Sequence, residues 1–472
     1  MNLDSRNFPA NARAALGDAH LQDALERLRG GFVESRRQAI GRLPEFDALR
    51  DRAQLIRTHT LAHLDQYLQR FEERAVAAGG HVHWCRDADE ARAAVLDICR
   101  AADAKTVTKG KSMIGEEIAI NEYLQANGIE PVETDLGEYI IQLRGEAPSH
   151  IIAPATHLSK EQVADSFRQR HTELDAARSL SEPAELLAEA RQQLRQKFLA
   201  ADVGITGANF LIAETGTSII VTNEGNGDLT QILPRVHIVI ASLEKVVPSL
   251  DDAATLLRVL ARSATGQDIT AYTTFSTGPR RAGDIDGPDA YHVILLDNGR
   301  TELMAGDNGE ILGCIRCGAC LNHCPVYGAI GGHAYGSVYS GPMGSVLTPA
   351  LKGLKSAHHL PQASSLCGIC EEVCPVRLPL PRMLRNLRFE AAESGAPGAL
   401  ARLLVRLWAF SARRPRLYHF GAGVKLAWLA AWGRRKGYLR TIPGFGAWTR
   451  TWDFPAPEGR TFIAQWKAGR RS

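Results

Sequence analysis

Apolar residues in the first eighty positions recur at helical spacing. Leu21, Ala24, Leu25 and Leu28 fall at i, i+3, i+4 and i+7, and Leu61, Leu64, Leu68 and Phe71 repeat the pattern, which predicts amphipathic helices with one packing face each. From about His81 the period shortens. KTVTK, YIIQL, HIIAP, SIIVTN, VHIVIA, ITAYTTF and YHVILL read as strands with helical stretches between them, an alternation that predicts an α/β sheet domain. Between residues 159 and 201, Val163, Phe167, Leu186, Leu187, Leu194 and Phe198 punctuate a charged stretch that reads as two helices broken near Ser181-Glu182-Pro183. After Leu296 a DNGR turn opens into a Gly- and Cys-rich region, which puts the main boundary near residue 300. The expected divisions are a helical segment 1–60, an α/β domain 61–298, a cysteine-bearing helical domain 299–390, and a basic, Trp-rich region 391–472.

A chain of 472 residues is too long for one ordinary core, and 45% apolar with 23% charged residues is the composition of a folded protein. The net charge of +3 gives no argument for a nucleic-acid partner. The opening MNLDSRNFPANARAALGD lacks the basic and apolar regions of an export signal, and no run of about 18 apolar residues occurs, so a cytoplasmic protein that spans no bilayer is expected. Composition shifts beyond residue 390, where six of the 7 tryptophans lie (Trp408, Trp428, Trp432, Trp448, Trp452, Trp466). Leu400, Leu403, Leu404 and Leu407 stand there at helical spacing beside Arg402 and Arg406. Such a tail serves either as a helix capping the cysteine domain or as a dock for an acidic partner or a membrane surface, with membrane association at most peripheral.

Seven of the 9 cysteines sit in two tight groups; Cys85 and Cys99 lie far upstream. CIRCGACLNHCPVY places Cys314, Cys317, Cys320 and Cys324 before Pro325, the complete C-x2-C-x2-C-x3-C-P run of a cubane iron–sulfur protein. SSLCGICEEVCPV places Cys367, Cys370 and Cys374 before Pro375, with Ser364 where that run has its first cysteine. In such paired motifs the fourth cysteine of each run serves the other cluster. Cluster one is therefore expected on Cys314, Cys317, Cys320 and Cys374, and cluster two on Cys324, Cys367 and Cys370. Three completions of cluster two stay open: a [4Fe–4S] centre with oxygen from Ser364 or water, a [3Fe–4S] centre, or a cysteine from elsewhere. A closed zinc site takes four ligands, whereas seven thiols converge here, so iron–sulfur is the reading adopted. Arg316, Arg377, Arg382, Arg385 and Arg388 stand near the motifs, either to favour the reduced cluster or, for the last three, as a solvated basic helix. His333, Tyr335, Tyr339, His358 and His359 lie between the groups, where they would shape a cleft.

Two glycine-rich segments fail as nucleotide motifs. Gly110-Lys111-Ser112 lacks the first P-loop glycine, since Lys105 holds that position, and GNGDLT ends in Thr230 where a dinucleotide fingerprint needs glycine or alanine. What remains is a polar set at expected strand ends: Lys109, Lys111, Ser112, Glu116, Glu117, Asn209, Glu214, Thr215, Gly216, Asn223, Glu224, Gly225 and Asn226. In open α/β sheets such loops bind ligands, and they also make ordinary turns.

Taken together, TKGKSMIGEEI, GITGANFLIAETGTSIIVTNEGNGDL, CIRCGACLNHCPVY and SSLCGICEEVCPV resemble the lactate utilization protein B family across about residues 60–390. The resemblance implies a LUD domain, similar to the phosphosugar isomerase and CoA-transferase-like folds (NagB/RpiA type), followed by an α-helical ferredoxin domain. It also implies an electron-carrying component of a three-part system that oxidises L-lactate to pyruvate, partnered by a cysteine-rich-domain protein and a second LUD protein. An alternative keeps the chemistry in the chain: the LUD cleft binds the hydroxy acid, with Lys109 or Lys111 on its carboxylate and Glu116 or Glu214 as base. A third makes the open iron of cluster two a Lewis acid.

Overall fold

A computed structural model describes residues 5–396, 398–442, 449 and 452–469; Trp448 lies outside the described residues. The chain forms two compact units, Met1–Ala391 and Ala392–Ser472.

The first unit begins with α1 (Phe8–Gly17), α2 (Ala19–Gly41), α3 (Phe46–Ala62) and α4 (Leu64–Ala77), helical as the opening periodicity predicts, although the Leu61–Phe71 stripe divides at His63, which leaves Leu61 in α3 and the rest in α4. Asp18 caps α2 by accepting from the Leu21 amide, and Leu64, Leu68, Phe71 and Ala75 form the buried stripe of α4. A sheet of six parallel strands follows. In sequence they are β1 (His81–Cys85), β2 (Thr106–Lys109), β3 (Glu130–Glu133), β4 (Val203–Gly207), β7 (Val236–Ser242) and β10 (Ala290–Leu296), in spatial order β1-β10-β7-β4-β2-β3. The centre pairs Val236 with Ala290 and Val203, and Ile238 with His292 and Ile205. Val203, Ile205, Ile238, Val239, Ile240, Val293 and Ile294 are wholly buried, as expected of a parallel sheet covered on both faces. A four-stranded mixed sheet, β5 (Phe210–Ile212), β6 (Thr217–Thr222), β8 (Val246–Val247) and β9 (Tyr272–Ser276), branches from the ends of β4 and β7.

Two expected strands take other forms. YIIQL lies in a helix, α8 (Leu136–Arg144), because Asp135 Oδ1 accepts from the amides of Gly137 and Glu138 and Gly145 ends the turn at φ 67°. HIIAP is irregular, pinned by His150, whose Nδ1 accepts from the amides of Ile152 (3.1 Å) and Ala153 (3.3 Å). The long charged stretch does form two helices, α9 (Lys160–Arg170) and α10 (Pro183–Ala200), the second starting on Pro183.

Beyond β10 the chain is short helices and turns. α14 (Ala319–Asn322), α15 (Tyr327–Ile330), α16 (Gly341–Lys352), α18 (Ile369–Glu372) and α19 (Leu380–Glu393) are the pieces that matter below. One hydrophobic core joins Phe46, Ala53 and Ile56 of α3 and Leu256 and Val259 of α12 (Leu250–Ala264) to Leu321, Tyr327, Val346, Leu360 and Leu384. In the second unit, Leu400, Leu403, Leu404, Leu407 and Trp408 of α20 (Ala399–Ala412) are all exposed. No helix of the described residues is long and apolar enough to cross a membrane.

Candidate metal centre

Each cysteine group is one backbone turn used twice. The residue before the second motif cysteine and the glycine after it both have positive φ: Arg316 (59°) and Gly318 (75°) around Cys317, Leu366 (57°) and Gly368 (89°) around Cys367. A short helix follows each, α14 and α18, carrying Cys320 and Cys370. The turn aims the Arg316 amide at Cys314 Sγ (3.4 Å) and the Leu366 amide at Ser364 Oγ (3.1 Å). Ser364 thus stands in the backbone position of Cys314.

The side chains of Cys314, Cys317, Cys320 and Cys374 line one small pocket, walled by Ile151, Leu321, Met343, Val376, Leu378 and Leu380. Cys324, Cys367 and Cys370 do not line it. Burial, then the neighbouring thiols, pushes the Cys317 and Cys320 thiols up, and burial raises Cys370 to about 12 and Cys374 to about 11. Peptide amides also point at sulfur, Tyr327 N at Cys324 (3.5 Å) and Leu378 N at Cys374 (3.3 Å). Thiols crowded into an apolar site yet supplied with N–H donors make a set that a metal core satisfies, because ligated sulfur carries the charge those donors stabilise. Cys85 and Cys99 are elsewhere, in the core of the α/β domain, where burial lifts them to about 11 and about 12.

Three arginines from the N-terminal helices brace the cysteine loops from behind. Arg36 of α2 donates to Val373 O (3.0 Å), and Arg50 of α3 donates to Cys374 O (2.9 Å) and Glu372 O (2.5 Å). Arg57, wholly buried, donates to the carbonyls of Glu244, Val246, Leu312 and Gly313, and burial lowers it to about 10. The arginines nearer in sequence divide. Arg316 ion-pairs with Glu244 (3.2 Å), which also pairs with Arg300 (3.0 Å); Arg300 reaches Glu117 (2.7 Å), and Glu117 accepts from Tyr339 Oη (2.6 Å). Arg377 pairs with Asp51 and Arg382 with Glu310 near the surface, and Arg385 is exposed. Arg388 holds the carbonyls of Pro361 (2.8 Å) and Ser364 (2.7 Å).

A cavity of about 580 Å³ opens at the carboxyl ends of β2, β4 and β7, where open parallel sheets bind ligands. Lys111, Asn209, Asn223, Asn226 and Lys245 contribute polar groups, and Arg316, Cys317 and Tyr339 reach it from the cysteine domain. Cys317 also lines the sulfur pocket, so the two cavities share a wall.

Residues 68–296 match the LUD domain and residues 310–378 the 4Fe-4S dicluster domain. A lactate utilization protein B from Bacillus licheniformis is 40% identical over 474 residues, covering 100% of this chain and 98% of that protein. The chain belongs to the lactate utilization protein B family. An uncharacterized electron transport protein of Escherichia coli, YkgF, is 39% identical over 99% of this chain and 98% of its own. A crystal structure of a DUF162 family protein from Deinococcus radiodurans covers 49% of this chain and 98% of its own, at TM-score 0.29 and 16% identity.

Within this family member the polar set expected at strand ends scatters. Lys109 is sealed between Glu133 (2.7 Å) and Glu116 (3.1 Å) and does not line the cavity. Glu117 serves the buried network, Glu214 is exposed and accepts from the Leu250 amide, and neither it nor Glu116 faces the cavity. Lys111 does, though it is spoken for by Asp135 (3.3 Å) and Ile152 O (2.7 Å). Of the residues between the cysteine groups, Tyr339 lines the cavity, while His333 donates to Ala147 O (2.7 Å). Arg36, Arg50, Arg57 and Lys245 left no trace in the sequence reading. Arginines spaced along helices read as solvent faces, and nothing local shows that they meet carbonyls hundreds of residues away.

Proposed function

We propose that this chain is the iron–sulfur electron-transfer component of a multi-component system that oxidises L-lactate to pyruvate. Support comes from relatives such as the Bacillus licheniformis lactate utilization protein B and from the 4Fe-4S dicluster match. The observation that carries the reading is the sulfur pocket, where Cys374 of the second group joins Cys314, Cys317 and Cys320 of the first. That convergence favours the crossed ligation: cluster one on those four, cluster two on Cys324, Cys367 and Cys370. The Leu366 amide, aimed at Ser364 as the Arg316 amide is at Cys314, favours a Ser364 oxygen as the remaining ligand of a second [4Fe–4S] centre. A bound cluster of this kind takes up and returns one electron at a time.

The chain's own part is to hold and bias the centres. Arg36, Arg50 and Arg57 fix the loop carbonyls and add buried positive charge on the side of cluster one, which favours its reduced state. Cys367 is exposed between exposed Leu366 and Ile369, a surface suited to a redox partner such as the cysteine-rich-domain protein or the second LUD protein. The exposed apolar and basic α20 suits peripheral attachment at the inner face of the cell membrane.

Anaerobic purification with iron and sulfide analysis and EPR tests this. Two clusters per chain, reduced by L-lactate after the partners are added and not before, is the expected result. Zinc in place of iron, or reduction by lactate in the isolated chain, counts against it; the latter favours oxidation in the LUD cleft.

A further inference from the structure

The cavity at the strand ends holds polar groups that nothing in the fold employs. Lys245 lines it just beyond β7, and its ammonium makes no hydrogen bond or ion pair among the described residues. The neighbouring carboxylate, Glu244, is already shared by Arg300 and Arg316. Arg316 and Lys111 line the same cavity; of its lining carboxylates Asp135 is taken by Lys111 and Glu224 is exposed to solvent, and neither pairs with Lys245. Across the cavity Asn226 is 6% exposed, and its Oδ1 has no donor. A buried amide oxygen without a donor is costly, and so is a half-buried ammonium whose nearest carboxylate is shared with two arginines, so a fold retains such groups where a ligand completes them.

Volume and walls narrow the class of ligand. Ile152, Ile220 and Leu260 make apolar sides, and about 580 Å³ falls within the roughly 300–1,000 Å³ of sites that hold organic ligands. An inorganic anion offers nothing to those apolar sides. The unmet needs are a negative group for Lys245 and a hydrogen-bond donor for Asn226. We propose that the cavity binds an organic oxyanion that also carries an O–H or N–H donor, the oxyanion received by Lys245 with Arg316 alongside and the donor by Asn226, against the loop of Cys317. Two sources share that chemistry: a 2-hydroxy acid, and a phosphate-bearing redox heterocycle of flavin mononucleotide size. The proposal concerns binding alone and does not rest on the electron-transfer reading above.

Calorimetric titration of the full-length, cluster-loaded chain under anaerobic conditions tests the proposal, with L-lactate, pyruvate and flavin mononucleotide as separate probes. One of them is expected to bind once per chain; which one tells substrate from cofactor. Lys245→Met should weaken that binding by about tenfold or more, the scale of one lost charge-assisted contact, and Lys245→Arg should restore most of it. Ala264→Trp, which fills the cavity without changing its charge, should abolish binding with iron and sulfide content unchanged. Binding by none of the probes overturns the proposal, as does equal affinity in Lys245→Met. A Lys245→Met chain that shifts the midpoint potential of the clusters while binding normally makes the lysine a counter-charge only, and also overturns it. If Lys245→Met loses iron, the Ala264→Trp result decides. Because no partner protein is present, failure of lactate-driven electron transfer in the assembled system would sink the functional reading and leave this one standing.

Discussion

The two cysteine turns share a backbone and differ in nearly everything around it. At the first, a Cβ on Gly318 would meet Ile152 Cδ1 at 2.7 Å; at the second, a Cβ on Gly368 would meet nothing within 4 Å. Arg316 of the first turn lies in a buried ion network, whereas its counterpart Leu366 is exposed. Cys317 is 7% exposed and faces the LUD cavity, while Cys367 is open to solvent. One local geometry thus meets two environments, an inner one pressed on the α/β domain and an outer one suited to a visiting protein. The turn fixes how sulfur is presented; the packing decides what the sulfur can reach.

Substitutions sharpen or break that contrast. Arg57→Met should cost the most, about 4 kcal/mol in denaturant unfolding, since it strands four buried carbonyls behind the inner turn. A loss near zero would mean that the inner turn needs no bracing. Gly318→Ala combines a left-handed backbone penalty with overpacking and should lose about 3 kcal/mol, while Gly368→Ala carries the backbone penalty alone, about 1 kcal/mol. Equal losses in the two variants would erase the distinction.

Acid should act on the inner turn through His150. This residue donates from Nε2 to Asn322 of α14 (2.9 Å), and burial lowers it to about 4. The unfolded histidine takes up a proton near pH 6.5 and the folded one only near 4, so stability is full above about 6.5 and falls as pH drops through that window. The expected loss is about 2 kcal/mol between pH 6.5 and 5. Replacing His150 with Gln should flatten the pH dependence of unfolding by close to one proton; an unchanged slope would show that His150 charges freely. The smallest effect on folding, and the sharpest on the metal, belongs to the outer turn. Ser364→Cys should leave unfolding within about 0.5 kcal/mol and give cluster two a full thiolate set, read as a changed EPR signal, whereas Ser364→Ala should yield a three-iron signal in the oxidised protein.

How much of this was legible in the sequence follows from distance along the chain. The cysteine turns span about a dozen residues each, so spacing alone showed the two cysteine groups, the proline after each, and Ser364 where the second run lacks a cysteine. The α/β class was legible because Val236–Ser242 and Ala290–Leu296 are unbroken apolar runs. YIIQL was not, since a short apolar run suits a strand or a buried helix and the deciding cap, Asp135, lies outside it. β4, VGITG, escaped notice because two glycines dilute its pattern. The cavity was invisible for a different reason: its lining comes from more than six separated segments, and Lys245, an ordinary lysine by any local measure, gains meaning only from the neighbours that ignore it.

The grip of Arg36, Arg50 and Arg57 on loops some 250 to 340 residues downstream has a consequence for biogenesis. During synthesis the guanidinium groups leave the ribosome long before the carbonyls they bind, so the inner half of the centre matures only when the two ends of this unit meet. A chain shortened by its first sixty residues would keep every cysteine and still be expected to hold iron poorly, a defect of assembly in a protein whose ligands are all intact.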